Sequence, residues 1–221
     1  MSAGMKRVKA MSLENKEQMN YIYVVFISTN TAMGKMIRLF TRNRYSHVTV
    51  AFERDLNRMY SFARYYINSP ILGGFVTERP GRYLYGEQDA PVKICEVPVE
   101  FGEYERIRKE VDFFQRNREE MIYNTANAVL SLLGKRLTAK NMFTCLEFTT
   151  HLLRYPNMSE IRELERRLEK YVVYTGSLRD TAVWEQEYAD GDEFFRRRRA
   201  IGIAYDTISH FSKVVGRVLH A

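Results

Sequence analysis

The apolar positions of the chain change period part-way along. Tyr21 to Ser28 is a mostly apolar run rich in Val, Ile and aromatic residues, which predicts a buried strand. Ser28-Thr29-Asn30-Thr31 then offers helix caps, and Met33, Met36, Ile37 and Phe40 follow at helical spacing, so a short amphipathic helix ending near Thr41 is expected. Ser46 to Glu53 alternates and is β-branched at Val48, Thr49 and Val50, Arg54-Asp55-Leu56-Asn57 makes a turn, and Met59 to Tyr65 returns as the second arm of a hairpin. Pro70, Gly73-Gly74, Pro80-Gly81 and Gly86 punctuate a loop-rich stretch holding a short strand over Phe75 to Glu78, and Val92 to Val99 is a further alternating strand.

From Phe101 the period becomes helical. Tyr104, Ile107, Val111 and Phe114 mark the apolar face of a long charged helix reaching about Arg118. Tyr123 to Leu133 and Met142 to Leu153 are apolar segments with helical signals, and Asn157-Met158-Ser159-Glu160 is a capping-box pattern opening a helix with Ile161, Leu164 and Leu168 inward. Tyr171 to Tyr174 precedes a turn at Gly176, and residues 192–220 are expected to form a terminal helix with a four-arginine run at its start. Strands first and helices later predict an α+β protein, an antiparallel sheet packed against helices. The expected organisation is a polar lead over residues 1–20, a main domain over 21–191 and a basic helical extension over 192–221.

Composition adds little to that pattern and removes several function classes. With 221 residues, 45% of them apolar and 28% charged, the chain can bury a sizeable core. Fifteen Tyr and thirteen Phe make ring packing the expected interior. The formal charge of +7 and the pI of about 9.3 invite a nucleic-acid or anionic-surface reading, through Arg196 to Arg199 and Lys213. Acidic residues interleave with the basic ones in Arg106 to Glu110 and in Arg162 to Lys170, as on solvated helix faces, so no specific nucleic-acid partner is expected. No stretch is apolar for long enough to make a signal core or a membrane span, so a cytoplasmic protein without a span is expected. Walker, paired-Cys zinc, HExxH and GxSxG patterns are absent from the sequence, and neither metal nor cofactor is expected.

Two cysteines occur, in unlike settings: Cys95 in an apolar strand, and Cys145 before a helical run of Leu146, Phe148, Thr149, Leu152 and Leu153. A thiol at a helix start feels the positive end of the macrodipole, which favours thiolate, and the free first-turn amides beside it suit an oxyanion. Among the four histidines, His151, His210 and His220 fall within expected helices, whereas His47 opens a β-branched strand after Arg44-Tyr45-Ser46, where a loop delivers its ring to the edge of a rigid sheet. A buried, hydrogen-bonded His and a Cys packed as a small hydrophobe are the ordinary alternatives.

Taken together, Thr41 with Tyr45-Ser46-His47-Val48, then Met59-Tyr60-Ser61-Phe62, then Phe143-Thr144-Cys145-Leu146-Glu147-Phe148 resemble the circularly permuted branch of the NlpC-type papain-like superfamily. That branch includes bacterial permuted amidases and peptidases and, more distantly, lecithin:retinol acyltransferase. In the usual papain order the Cys helix precedes the His strand; here His47 comes first. The likeness covers roughly Tyr21 to Leu153, and Gly73-Gly74-Phe75-Val76 and Tyr174-Thr175-Gly176-Ser177-Leu178 resemble uncharacterised bacterial members. Three positions depart from the pattern: Asn20-Tyr21 stands for a Gly-Asp pair, Thr49 for a Gly after His-Val, and Leu146 for the Ser after the nucleophile.

The resemblance implies a papain-like fold and a cysteine hydrolase or acyltransferase acting on an amide, ester or thioester, with Cys145 as nucleophile and His47 as base. It further implies a third polar residue on the strand paired with the His strand, which orients the imidazole. The hairpin return puts Ser61 near that position, with Glu53 and Glu78 as alternatives. The expected substrate is a small-molecule, peptide or lipid-like acyl compound. A module of the same fold that binds without chemistry is the competing reading, supported by Leu146 and by the uncharged Ser61.

Overall fold

The computed structural model describes residues 19–69, 72–84, 89–125, 127, 139–181, 193–196 and 199–219. Nearly all of the expected polar lead, most of the apolar segment Tyr123 to Leu133, the middle of the four-arginine run and His220 lie outside the described residues.

The strands are β1 (Asn20–Ile27), β2 (His47–Ala51), β3 (Met59–Arg64), β4 (Gly73–Glu78), β5 (Pro91–Val99) and β8 (Val172–Ser177), with the two-residue strands β6 (Ile122–Tyr123) and β7 (Met142–Phe143) between the last two. The helices are α1 (Ala32–Thr41), α2 (Phe101–Arg116), α3 (Cys145–Leu152), α4 (Ile161–Leu168) and α5 (Ala200–Leu219). Among the described residues six strands form one antiparallel sheet in the order β4-β3-β2-β1-β5-β8. The protein is therefore of the α+β class, as the change of period implies. None of the described helices is long and apolar enough to cross a membrane.

The sheet is buried on both faces, which explains why β1 reads as a continuous apolar run. Val24, Phe26, Val48, Val50, Phe62 and Phe75 turn toward α2, α3 and α4, where they meet Ile107, Val111, Phe114, Phe148, Leu152 and Leu164. Rings dominate this layer: Phe62 lies 5.4 Å from Phe148 and 5.7 Å from Phe114, centroid to centroid, and Phe114 lies 5.4 Å from Phe143. Each such buried ring stabilises the fold by roughly 1.5–3 kcal/mol, enough to fix α3 against the sheet. The alternate residues Val25, Ile27, Ala51, Met59, Val92 and Ile94 form a second layer with Leu56, Leu84 and Leu178.

The helix over the Met142 to Leu153 segment begins at Cys145, where the sequence puts it, and Met142–Phe143 ahead of it pairs in parallel with Ile122–Tyr123. Three boundaries differ from the sequence reading. Gly176 is no turn but lies within β8, paired with Val92. The Tyr174 hydroxyl lies where a Cβ at Gly176 would be, 2.3 Å away, so glycine serves close side-chain packing there. Helix α4 starts at Ile161, after Glu160, with Glu163 accepting from the amides of Ser159 and Glu160 at 2.7 and 3.2 Å. The terminal helix starts at Ala200 rather than 192, preceded by a 3-10 turn over Glu193–Phe195, so Arg196 and Arg199 lie ahead of it.

Candidate active site

His47 opens β2, and the loop before it is tied down by side chains. Ser46 Oγ accepts from the Thr29 amide at 3.1 Å and lies 3.0 Å from Thr29 Oγ1, while Arg38 of α1 donates to both Ser46 Oγ and the Thr29 carbonyl. Arg162 of α4 donates to Asn43 Oδ1 and to the carbonyls of Thr41 and Arg42, closing the end of α1 where Arg42 takes a left-handed conformation. The start of β2 is thus anchored from both sides, and the imidazole has little room to swing.

Cys145 is the first residue of α3. Thr144 caps that helix: its hydroxyl accepts from the Glu147 amide at 3.1 Å, and Glu147 Oε2 accepts from the Thr144 amide at 2.8 Å. Asn127 Nδ2 donates to the other carboxylate oxygen of Glu147 at 2.9 Å. Phe148 makes the first helical bond, to the Thr144 carbonyl. The cap and the helix together leave the amides of Cys145 and Leu146, beside the sulfur, as donors for an anion.

His47 Nε2 lies 3.1 Å from Glu78 Oε2, and both side chains are buried. Burial works against a charged imidazole; the Glu78 carboxylate, with its hydrogen bond to the ring, and the nearby Cys145 side chain outweigh it and lift the His47 pKa to about 10. Glu78 is likewise opposed by burial, yet the charges of His47 and Arg82 hold its carboxyl down to about 2. Arg82 Nε is 3.8 Å from Glu78 Oε1, close enough to share charge but without a hydrogen bond. The Tyr83 hydroxyl is near enough to help hold the carboxylate ionised, although neither it nor Oε1 completes a well-formed hydrogen bond. Tyr83 also packs its ring 5.9 Å from that of His47.

Two cavities flank this pair. The larger, of about 460 Å³, is lined by His47, Glu78, Arg64, Arg82, Tyr83 and the rings of Phe194 and Phe195; the smaller, of about 140 Å³, is lined by Cys145, Leu146, Glu147, Asn127 and Phe40. Ile37, Ser46 and Tyr123 line both, so the cavities adjoin as two lobes that share a wall, with the imidazole on the larger and the thiol on the smaller. Burial and then the charges of Cys145, Glu78 and Glu147 raise the Tyr123 pKa, so its phenol stays protonated. Gly73 and Gly74 let that tyrosine in. A Cβ at Gly73 would fall 2.9 Å from Tyr123 Cβ, and one at Gly74 would fall 2.4 Å from the Met121 carbonyl.

His47 and Glu78 therefore pair on the wall of one cavity, Cys145 lines the adjoining one, and Ser61 lines neither. Ser61 is fully buried on β3, but its hydroxyl has no hydrogen-bond partner among the described residues; the group on the imidazole comes from β4, one strand further out. Glu53 is exposed in the turn after β2. Cys95 is sealed in the core, and burial lifts its thiol to about 12. His151 pairs with Glu110 on the half-exposed side of α3.

Sequence reasoning missed Tyr123, Arg64, Arg82, Tyr83 and Phe194, all in or beside loops whose folding back could not be foreseen. The cap was legible, since Thr144-x-x-Glu147 has the spacing of a capping box. Among the described residues no group of three or more His, Cys, Asp or Glu side chains is placed to hold a metal ion. The chain matches no protein-family model, no curated protein and no solved structure.

Proposed function

We propose that the protein is a cysteine hydrolase or acyltransferase of permuted papain-like architecture, working through a covalent acyl-enzyme on Cys145. The observation that carries this reading is the buried His47–Glu78 contact at 3.1 Å, on an imidazole that also interacts with a sulfur at a capped helix start. A buried carboxylate on one ring nitrogen leaves the other to serve the thiol, and it stabilises the imidazolium. The α+β sheet order, with the His strand earlier in the chain than the Cys helix, agrees with the permuted resemblance.

In this mechanism the thiolate attacks the acyl carbon of an amide, ester or thioester, and the carbonyl electron pair moves to oxygen. The amides of Cys145 and Leu146 stabilise that oxyanion. Collapse expels the leaving group, which takes the proton of His47 and leaves a thioester on Cys145. Water, or an acceptor amine or alcohol, then gives its proton to His47 as it attacks the thioester, releasing the acyl product and restoring the thiolate and imidazolium.

The test is chemical. Mass spectrometry after incubation with 4-nitrophenyl acetate is expected to find an acetyl group on Cys145 of the wild type and none on Cys145→Ala or His47→Ala. Acetylation that persists unchanged in Cys145→Ala, or a wild-type protein whose Cys145 reacts no faster than the unfolded chain, refutes the proposal.

A further inference from the structure

The larger lobe of the cleft carries more positive charge than the proposed chemistry uses. Its charged lining residues are His47, Glu78, Arg64 and Arg82. The single carboxylate, Glu78, pairs with His47 at 3.1 Å, and Arg82 Nε approaches it to 3.8 Å. Arg64 remains. Among the described residues its Nη1 makes a 3.5 Å contact with the Ser69 carbonyl, its guanidinium lies 5.9 Å from the centre of the Phe194 ring, and it enters no ion pair.

That charge is also held in place. Arg82 donates to the Arg64 carbonyl and stacks 4.3 Å from the centre of the same Phe194 ring, so one aromatic ring contacts two guanidinium groups. Phe194 is fixed in turn by its carbonyl, which accepts from the Ile67 amide at 2.8 Å. Burial acts first against the Arg64 cation; Tyr123 favours it and the charge of Arg82 opposes it, and the balance lowers its pKa. A partly buried guanidinium on a cavity wall suits the fork geometry of a carboxylate or phosphate.

We propose that Arg64 anchors an anionic group, carboxylate or phosphate, of the substrate in the lobe on the His47 side of the cleft. This rests on the Cys145–His47 reading for the word substrate, whereas the anion site itself stands on the cavity and its charges. Because His47 hands its proton to the leaving group, the anionic group belongs to that portion of the acyl compound. The aromatic rings of Phe194 and Phe195 supply an apolar wall beside it.

Titration at constant ionic strength separates these ideas. Wild-type protein is titrated with inorganic phosphate and, separately, with succinate, followed by NMR, and the same is done with Arg64→Gln and Arg64→Lys. Saturable binding that weakens by about tenfold or more in Arg64→Gln and recovers in part in Arg64→Lys supports the site. The tighter of the two anions identifies the group. Binding of neither anion, or equal binding in wild type and a folded Arg64→Gln, overturns it; if Arg64→Gln does not fold, a saturable shift of the wild-type Arg64 side-chain resonances on titration supports the site and unmoved Arg64 resonances overturn it. Parallel alkylation of Cys145 by neutral iodoacetamide keeps the two proposals apart. Anion binding with an inert Cys145 sinks the enzyme reading alone, and a reactive Cys145 without anion binding sinks the anchor alone.

Discussion

His47 and Glu78 touch, Nε2 to Oε2 at 3.1 Å, although their strands are not neighbours: β3 runs between β2 and β4. The carboxylate therefore reaches the ring across an intervening strand, in a buried setting where each charge depends on the other.

Replacing Glu78 by Gln tests that dependence through pH. A His whose pKa is raised from 6.5 to about 10 on folding adds stability that is complete below 6.5 and disappears as pH rises through 10. A Glu whose pKa is lowered from 4.5 to about 2 adds stability that is complete above 4.5 and disappears as pH falls through 2. The pair thus stabilises most fully between about 4.5 and 6.5. In Glu78→Gln the NMR titration midpoint of His47 is expected to move down toward 6.5, and urea unfolding at pH 6 to show a loss of about 3 kcal/mol or more. A His47 midpoint that stays where it was refutes the assignment of Glu78 as its partner.

Ser61 supplies the contrast. Its hydroxyl is buried without a partner, a state that costs roughly 1–3 kcal/mol. Ser61→Ala is expected to leave Cys145 acylation within about twofold of wild type and to hold or raise stability by about 1 kcal/mol. A large loss of acylation with unchanged unfolding would restore Ser61 to the chemistry.

The two thiols should separate cleanly. Both thiols are buried, but Cys145 lines the smaller cavity, whereas Cys95 lines neither described cavity and its thiol is lifted to about 12, so at pH 7.5 iodoacetamide is expected to modify Cys145 alone in the folded protein and both cysteines in urea. Peptide mapping reads the result. Modification of Cys95 at a comparable rate would mean that the core opens on the timescale of labelling.

How far the sequence reaches is clear from these residues. The β2–β3 hairpin, the α2 face of Ile107, Val111 and Phe114, and the α4 face of Ile161, Leu164 and Leu168 follow from period alone, because each is a local pattern against one surface. Cys145 and His47 were legible from their positions at a helix start and a strand start. Glu78 was only one of three candidates, since its contact depends on how far a sheet brings β4 toward β2, and no local pattern records that. Arg64, Arg82 and Phe194 come together through the packing of the 193–195 turn on the loop after β3, a meeting that neither segment encodes by itself.

Gly34 links the frame to the site. It sits in the first turn of α1, its amide donates to Thr31 Oγ1 at 3.1 Å, and a Cβ there would fall 2.0 Å from Thr29 Oγ1, 2.8 Å from the Thr29 carbonyl and 3.0 Å from Ser46 Oγ. The hydroxyls can rotate away, but the carbonyl is backbone, so α1 itself must shift. That shift would disturb Ser46, the residue before His47, and Ile37, which lines both lobes. Gly34→Ala is expected to lose roughly 1–3 kcal/mol in urea unfolding and to slow Cys145 acylation. Gly102, in the first turn of α2 with nothing within 4 Å of its would-be Cβ, is the control: Gly102→Ala should gain about 0.5–1 kcal/mol, because only the entropy of the unfolded chain changes. If both alanines stabilise the protein alike, α1 does not pack on Thr29 and Ser46 as described, and the anchoring of His47 from that side fails with it.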